Sequence, residues 1–346
     1  MDVVELDTRS AMIPGAGDVE LQRDLKMAVA EFAPTSQLVA NKQLWVSYGV
    51  KRVAEREWDR SYYRRCLEHN RFDVWGPQED LPGEPCCSKI GEEREYVIPR
   101  FGFVTFKEKP KTPRARPTRH FSTRPFFIGF RRDQQGVVLM PSEDPVIRVN
   151  KACPGKIVVC EGRHGRMFYL CKKCGAGFQK VEQPHKTHLG ERCTGELKKV
   201  ALGHEFVTDV LQIQFEYQTP GGVNDLWFAY SLAYALAGGA AKVLEVLPGD
   251  VSTTVTHGNS GRIPPIILYD NVPGGAGLVA CLEEEGNMRE CLTEAYQRVM
   301  GRCGCREDES CYGCLRSYAN QFAHHSLQRG PVKRFLEEVI RVFEEC

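Results

Sequence analysis

Four cysteines fall within twelve residues in the stretch CGCREDESCYGC, at Cys303, Cys305, Cys311 and Cys314. The spacing C-x-C-x5-C-x-x-C makes two close pairs joined by a short loop, so four thiolates can converge on one point with little chain to order. Zinc, held tetrahedrally at about 2.3 Å from each sulfur, suits that set better than an iron–sulfur cluster, a redox dithiol or unligated thiols. Four thiolates leave no open coordination position. The expected chemistry is therefore structural, with ligation contributing to folding rather than activating a water.

A second set begins at Cys171-x-x-Cys174-Gly, half of a zinc knuckle in which glycine permits the tight turn beneath the metal. Cys193 supplies a third ligand. We take His188 as the fourth, with His185 and Cys160 as alternatives that spacing alone does not separate. The competing reading makes Cys160 and Cys193 buried apolar thiols.

Other stretches carry weaker signals. YDNVPGGAG, ending at Gly277, leads a strand through glycines into a helix, where backbone N–H groups can cradle a phosphate; a plain glycine turn is the favoured reading, and no P-loop lysine motif occurs. The segment after the cluster carries Arg316, Tyr318, Asn320, Gln321, His324, His325 and Arg329 with no acid among them, so bracing of the metal loop is expected rather than catalysis. No catalytic residue is assigned, and a hydrolase built on Asp270, His324 and Arg329 is the weakest reading.

Residues 107–132 hold nine Lys or Arg against the single acid Glu108, a net charge of +8, which leaves the rest of the chain at −7. Prolines keep this stretch from regular structure, so an extended arm is expected. Cations for phosphates and Phe121, Phe126 and Phe127 for bases suit a single-stranded nucleic acid, and Lys109, Lys111, Arg114, Arg116, Arg119 and Arg124 are the candidate contacts. A solvated linker is the alternative.

The elements that must position these groups are legible in part. The chain of 346 residues, 42% hydrophobic and 26% charged, suits two or three soluble units. Its fifteen cysteines are odd in number and clustered, which in a reducing compartment points to metal rather than disulfides. With no apolar run of membrane length and no signal-like N-terminus, a cytoplasmic protein without membrane contact is expected. Leu21, Leu25, Val29 and Phe32 recur at helical spacing, and Asn41-Lys42 reads as a hairpin turn. After Asn224 or Asp225 as N-cap comes a helix apolar on every side, which must be central. The last helix shows a stripe of Val332, Phe335, Leu336, Val339, Ile340 and Phe343. The fold class expected is α/β in the α+β sense: a mixed sheet with a buried central helix, C-terminal helices and zinc-knuckle insertions. A boundary near residue 132 would separate a β-rich connecting region with its basic arm, 1–132, from the domain with both cysteine clusters, 133–346.

Taken in order, KKVALGHEFVTDVLQIQF, LYDNVPGGAGLV and CGCREDESCYGCLRSYANQFAHHSLQRG resemble the MrfA-type zinc-binding (MZB) domain at the C-terminal end of superfamily 2 DNA helicases. The resemblance covers about residues 150–340. That family includes a mitomycin-repair translocase and large helicases of antiphage defence, and a related domain occurs in the DrmB partner of the DISARM system. The resemblance implies that Cys303, Cys305, Cys311 and Cys314 hold zinc and that Cys171, Cys174 and Cys193 belong to a second knuckle. It implies DNA, single-stranded or duplex, and a helicase motor as partners. No Walker A loop and no D-E-x-[DH] box are present, so the motor lies elsewhere, with a piece of a larger helicase expected over a separate subunit. A protein-interaction scaffold docking to such a motor is the alternative function.

Overall fold

The structure, a computed structural model, describes residues 2–115, 117, 123–131, 137–140, 147–161 and 167–345. Among the described residues it is a mixed α+β fold, as expected, with three curled sheets of five to seven strands, a small two-stranded sheet and four α-helices: α1 (Leu25–Glu31), α2 (Asp225–Val243), α3 (Glu285–Val299) and α4 (Arg329–Glu345).

The central sheet has seven strands built around the twelve-residue strand His204–Phe215. Ile266–Asp270 pairs with it antiparallel, and all five of its residues are buried, because both faces of this sheet are covered. Alternation assigns the faces. Ile266 and Leu268 join the helical core, whereas Ile267 and Tyr269 join a second core shared with the N-terminal half. The helical core forms where α2 lies on the sheet and α3 packs against α2. The Asn224 side chain caps α2 by accepting from Trp227 N at 3.2 Å, and eleven of the nineteen residues of α2 are buried. Close packing requires Gly239: a Cβ there would stand 2.4 Å from the Cys291 carbonyl of α3. Cys291 itself is a core thiol, which burial pushes up to about 12, out of reach of thiolate chemistry. In α4, Val332, Phe335, Leu336 and Val339 are buried as the stripe requires, with Ile340 half-buried.

The N-terminal half departs from the expectation at its first helix. The first helix is confined to Leu25–Glu31, because Asp24 caps it by accepting from Lys26 N at 2.9 Å while Gln22–Asp24 pairs as a strand with residues 3–5. Leu21 is buried ahead of the helix rather than on it. The hairpin forms as read, with Asn41 and Lys42 both at positive φ between Gln37–Ala40 and Gln43–Val50.

Sheets cross the expected boundary at residue 132. Arg94–Ile98 pairs in parallel with Leu197–Leu202 in the six-stranded sheet. Thr123–Phe130 is a strand at the end of the central sheet's path, paired with Cys153–Glu161, and so is not part of an extended arm. Its proline, Pro125, sits where an edge strand tolerates one.

Candidate metal centres

In the 303–314 loop the four thiols converge as the spacing requires. Their sulfurs lie within 4.8 Å of one another, with Cys303–Cys305 at 3.4 Å, Cys305–Cys314 at 3.8 Å and Cys311–Cys314 at 3.9 Å. Thiolates sharing one zinc at about 2.3 Å stand about 3.8 Å apart. The donor set therefore fits a closed tetrahedral ion. Cys311 N donates to Cys314 Sγ at 3.2 Å, the kind of backbone bond that steadies a thiolate.

The polar segment behind the loop does the bracing that its lack of acids suggests. The buried Arg329 guanidinium donates to the Cys305 carbonyl at 3.0 and 2.6 Å and to the Val299 carbonyl at 3.3 Å, joining the loop to the ends of α3 and α4. Asn320 donates to the Leu315 carbonyl at 2.9 Å and accepts from Ser317 N at 2.7 Å. His324 Nε2 lies 2.9 Å from both the Ser317 carbonyl and Asn320 Oδ1. Asp270 is fully buried and accepts from the N–H groups of Ala276, Leu278 and Val279 at 2.6, 3.0 and 2.9 Å. That carboxylate occupies the cradle in which a phosphate would have sat, so the glycine stretch is a structural turn. Asp270, His324 and Arg329 each serve local backbone groups.

The second set gathers as Cys171, Cys174, His185 and Cys193, again within 4.8 Å. Cys171 and Cys193 sulfurs are 3.9 Å apart, and Cys174 Sγ lies 3.4 Å from His185 Nε2. The structure thus places His185, not His188, with the three thiols. The reason is register: in the small hairpin His185–Lys186 with Arg192–Cys193, His185 faces Cys193 directly. His188 lies beyond it in the turn, where Thr187 N bonds to the Glu191 carbonyl. Burial pushes the His188 imidazole below its ordinary value, and Asp7, Lys51 and Glu191 are the charges around it. Cys160 is in the sheet core. The knuckle docks on the N-terminal hairpin through Gly175, at φ 79°, whose carbonyl accepts from Val50 N at 2.9 Å; Cβ atoms at Gly49 or Gly175 would meet backbone at 2.1 and 2.0 Å. We expect His185→Ala to cost one zinc per chain by elemental analysis while His185→Cys keeps it. His188→Ala should leave the count unchanged, and the opposite result would return the ligand to position 188.

The candidate nucleic-acid contacts divide. Lys109, Lys111 and Arg114 are exposed. Arg116 and Arg119 lie outside the described residues, as does Phe121. Arg124 does not belong with them: it is 3% exposed. Its guanidinium donates to Tyr230 Oη at 3.0 and 2.7 Å and to Asn70 Oδ1, and it lies 4.8 to 5.2 Å from the ring centres of Tyr230, Phe126 and Phe322. Period-two alternation along its strand turns Arg124 and Phe126 together into the core.

A third gathering, at Cys66, His69, Cys86 and Cys87, was not anticipated from the sequence. The signal available was Cys66-x-x-His69, a knuckle half with a histidine in the second place, followed by an adjacent cysteine pair. Among the described residues no helix is long and apolar enough to cross a membrane.

Residues 232–315 match the family model of the MrfA Zn-binding domain, which bears out the resemblance over that stretch. Druantia protein DruE of Escherichia coli (strain UMEA 4076-1) is 28% identical over 196 residues, 47% of this chain and 10% of its own length. The chain therefore spans about a tenth of that curated relative. Two crystal structures of the DUF1998 helicase MrfA are similar to it. The one bound to DNA has a TM-score of 0.40 at 10% identity, over 98% of this chain and 34% of MrfA. The one bound to DNA and AMPPNP has a TM-score of 0.32 at 11% identity, over 92% and 29%.

Proposed function

We propose that this chain, whose residues 232–315 match the MrfA Zn-binding domain, is a zinc-braced accessory module of an ATP-driven DNA helicase or translocase, serving bacterial DNA repair or antiphage defence. In this reading one zinc sits in the 303–314 cluster and one in the 171–193 cluster, and both ions are structural. The observation that carries the reading is the four-thiol convergence inside the segment that matches the MrfA Zn-binding domain. ATP hydrolysis belongs to a motor in cis or in trans.

The module's own contribution is to hold a DNA strand. Exposed Lys109, Lys111 and Arg114 support this, since cations on a surface stretch neutralise phosphates without reading bases. Zinc-loaded protein is expected to bind labelled single-stranded DNA with an affinity that falls steeply with salt. Charge removal at Lys109, Lys111 and Arg114 should cut binding at least tenfold at low salt and flatten the salt slope by about 2 to 3. Absence of binding at low salt would remove the strand-guiding role and favour a scaffold that docks to the motor.

A further inference from the structure

The strands Phe72–Trp75 and Arg94–Ile98 are joined by residues 76–93, a long connection without a strand or helix of its own. None of its residues is fully buried. A loop of that length needs something other than a core to order it. Arg64 ties down one point, donating to the carbonyls of Pro82 and Gly83 at 2.6 and 2.7 Å. Gly91 N ties down another, donating to the Arg65 carbonyl at 2.9 Å, and between these points Cys86 and Cys87 lie against Cys66 and His69 on the neighbouring turn.

The four donor atoms of this group lie within 4.8 Å of one another. Cys66 Sγ is 3.5 Å from Cys87 Sγ and 3.5 Å from His69 Nδ1, and the Cys86 and Cys87 sulfurs are 4.0 Å apart. These lie within about 0.3 Å of the edge lengths of a tetrahedron of three sulfurs and one nitrogen around zinc, about 3.5 to 3.8 Å. They are far from the roughly 2.05 Å of a disulfide, and a disulfide would leave the imidazole nitrogen aimed at the thiols unexplained. The backbone repeats the knuckle seen at the second cluster: His69 N donates to Cys66 Sγ at 3.4 Å, as Cys174 N does to Cys171 Sγ at 3.4 Å. We propose that Cys66, His69, Cys86 and Cys87 form a third zinc site, with three thiolates and one imidazole, that staples the 76–93 loop to the sheet.

Its position gives the staple a reach beyond the loop. The next residue, Asn70, at φ 58°, is buried; its side-chain Nδ2 donates to the Val255 carbonyl and to Tyr230 Oη, while its Oδ1 accepts from Arg124. His257, two residues beyond the strand Val251–Val255, lies edge-on to His69 with ring centres 5.8 Å apart. Ordering the turn at 66–69 therefore also orders the contact between the N-terminal half and α2.

The test uses the full chain, purified under reducing conditions, with zinc counted by elemental analysis. Cys86→Ser/Cys87→Ser should carry one zinc fewer per chain than the parent with its circular dichroism retained. An equal count overturns the proposal, and so does a disulfide among Cys66, Cys86 and Cys87 found by alkylation and mass spectrometry. Should the double variant fail to fold, cobalt-loaded His69→Cys decides: replacing nitrogen by sulfur should keep the ion count and move the ligand-field bands to longer wavelength, and an unchanged spectrum rejects the site. Neither readout involves DNA, so a failed strand-guiding reading leaves the result intact.

Discussion

Cys311→Ser is expected to empty the 303–314 cluster and to dissolve the cooperative core around α2, α3 and α4. The sulfur of Cys311 stands 3.9 Å from that of Cys314, and a serine oxygen neither reaches as far nor binds zinc as a thiolate does. Structural zinc contributes on the order of 10 kcal/mol to folding in small zinc modules, comparable with the net stability of a whole domain. Loss of the ion leaves the loop without its anchor. The Cys305 carbonyl then no longer fixes Arg329, whose guanidinium joins the ends of α3 and α4. Partly buried Cys303, Cys305 and Cys311 pack against the same core as Leu236 and Phe335, so the damage spreads into the helices. The expected result is a fall of well over 10 °C in the melting temperature, or no cooperative transition, together with one zinc fewer per chain. Treatment of the parent chain with a strong chelator should produce the same state, reversed by zinc. A Cys311→Ser protein that melts like its parent would show the cluster to be dispensable for folding.

How far the sequence foretold this site depends on how much of the geometry is local. All four ligands of the 303–314 cluster lie in one short loop, so spacing alone brings them together. Helix α2 was legible because residues apolar on every side have only one place to go, and α4 because its stripe follows the helical period. The second cluster was legible only to three ligands. Choosing His185 over His188 required the register of a hairpin two residues long on each side, which no local pattern fixes. The third gathering escaped because His69 and Cys86 are joined by a strand and a long loop, and an adjacent cysteine pair is an unusual way to supply two ligands. The start of α1 was misplaced because the cap at Asp24 outweighed an apolar periodicity extending upstream. Composition places a domain boundary near residue 132, but strands on both sides of it pair across it.

Arg124 is the residue for which composition and structure differ most, and its replacement separates an internal role from a DNA-binding one. Charge counting groups it with the basic stretch, yet it lies beneath the sheet against Tyr230 of α2. Arg124→Ala removes the donor to buried Asn70 Oδ1, at about 1–3 kcal/mol before relaxation, and leaves Tyr230 Oη with the longer bond from Asn70 Nδ2. It also removes the guanidinium from three aromatic faces and opens space where the side chain packed. Against these stands the recovered cost of burying a cation. The orphaned Asn70 oxygen and the lost packing outweigh it here, since alanine supplies neither hydrogen bonds nor volume. We expect a loss of about 3 kcal/mol, read as a fall of about 4 °C in melting temperature for a chain of this length. In a double-mutant cycle with Tyr230→Phe the two losses should fall short of additivity by about 1 kcal/mol, because each substitution removes the same bond. DNA affinity of the folded Arg124→Ala protein, measured well below its melting point, should match the parent, whereas charge removal at Lys109, Lys111 and Arg114 should weaken binding without moving the melting temperature. Parental stability in Arg124→Ala, joined to weakened DNA binding, would return the residue to the nucleic-acid surface.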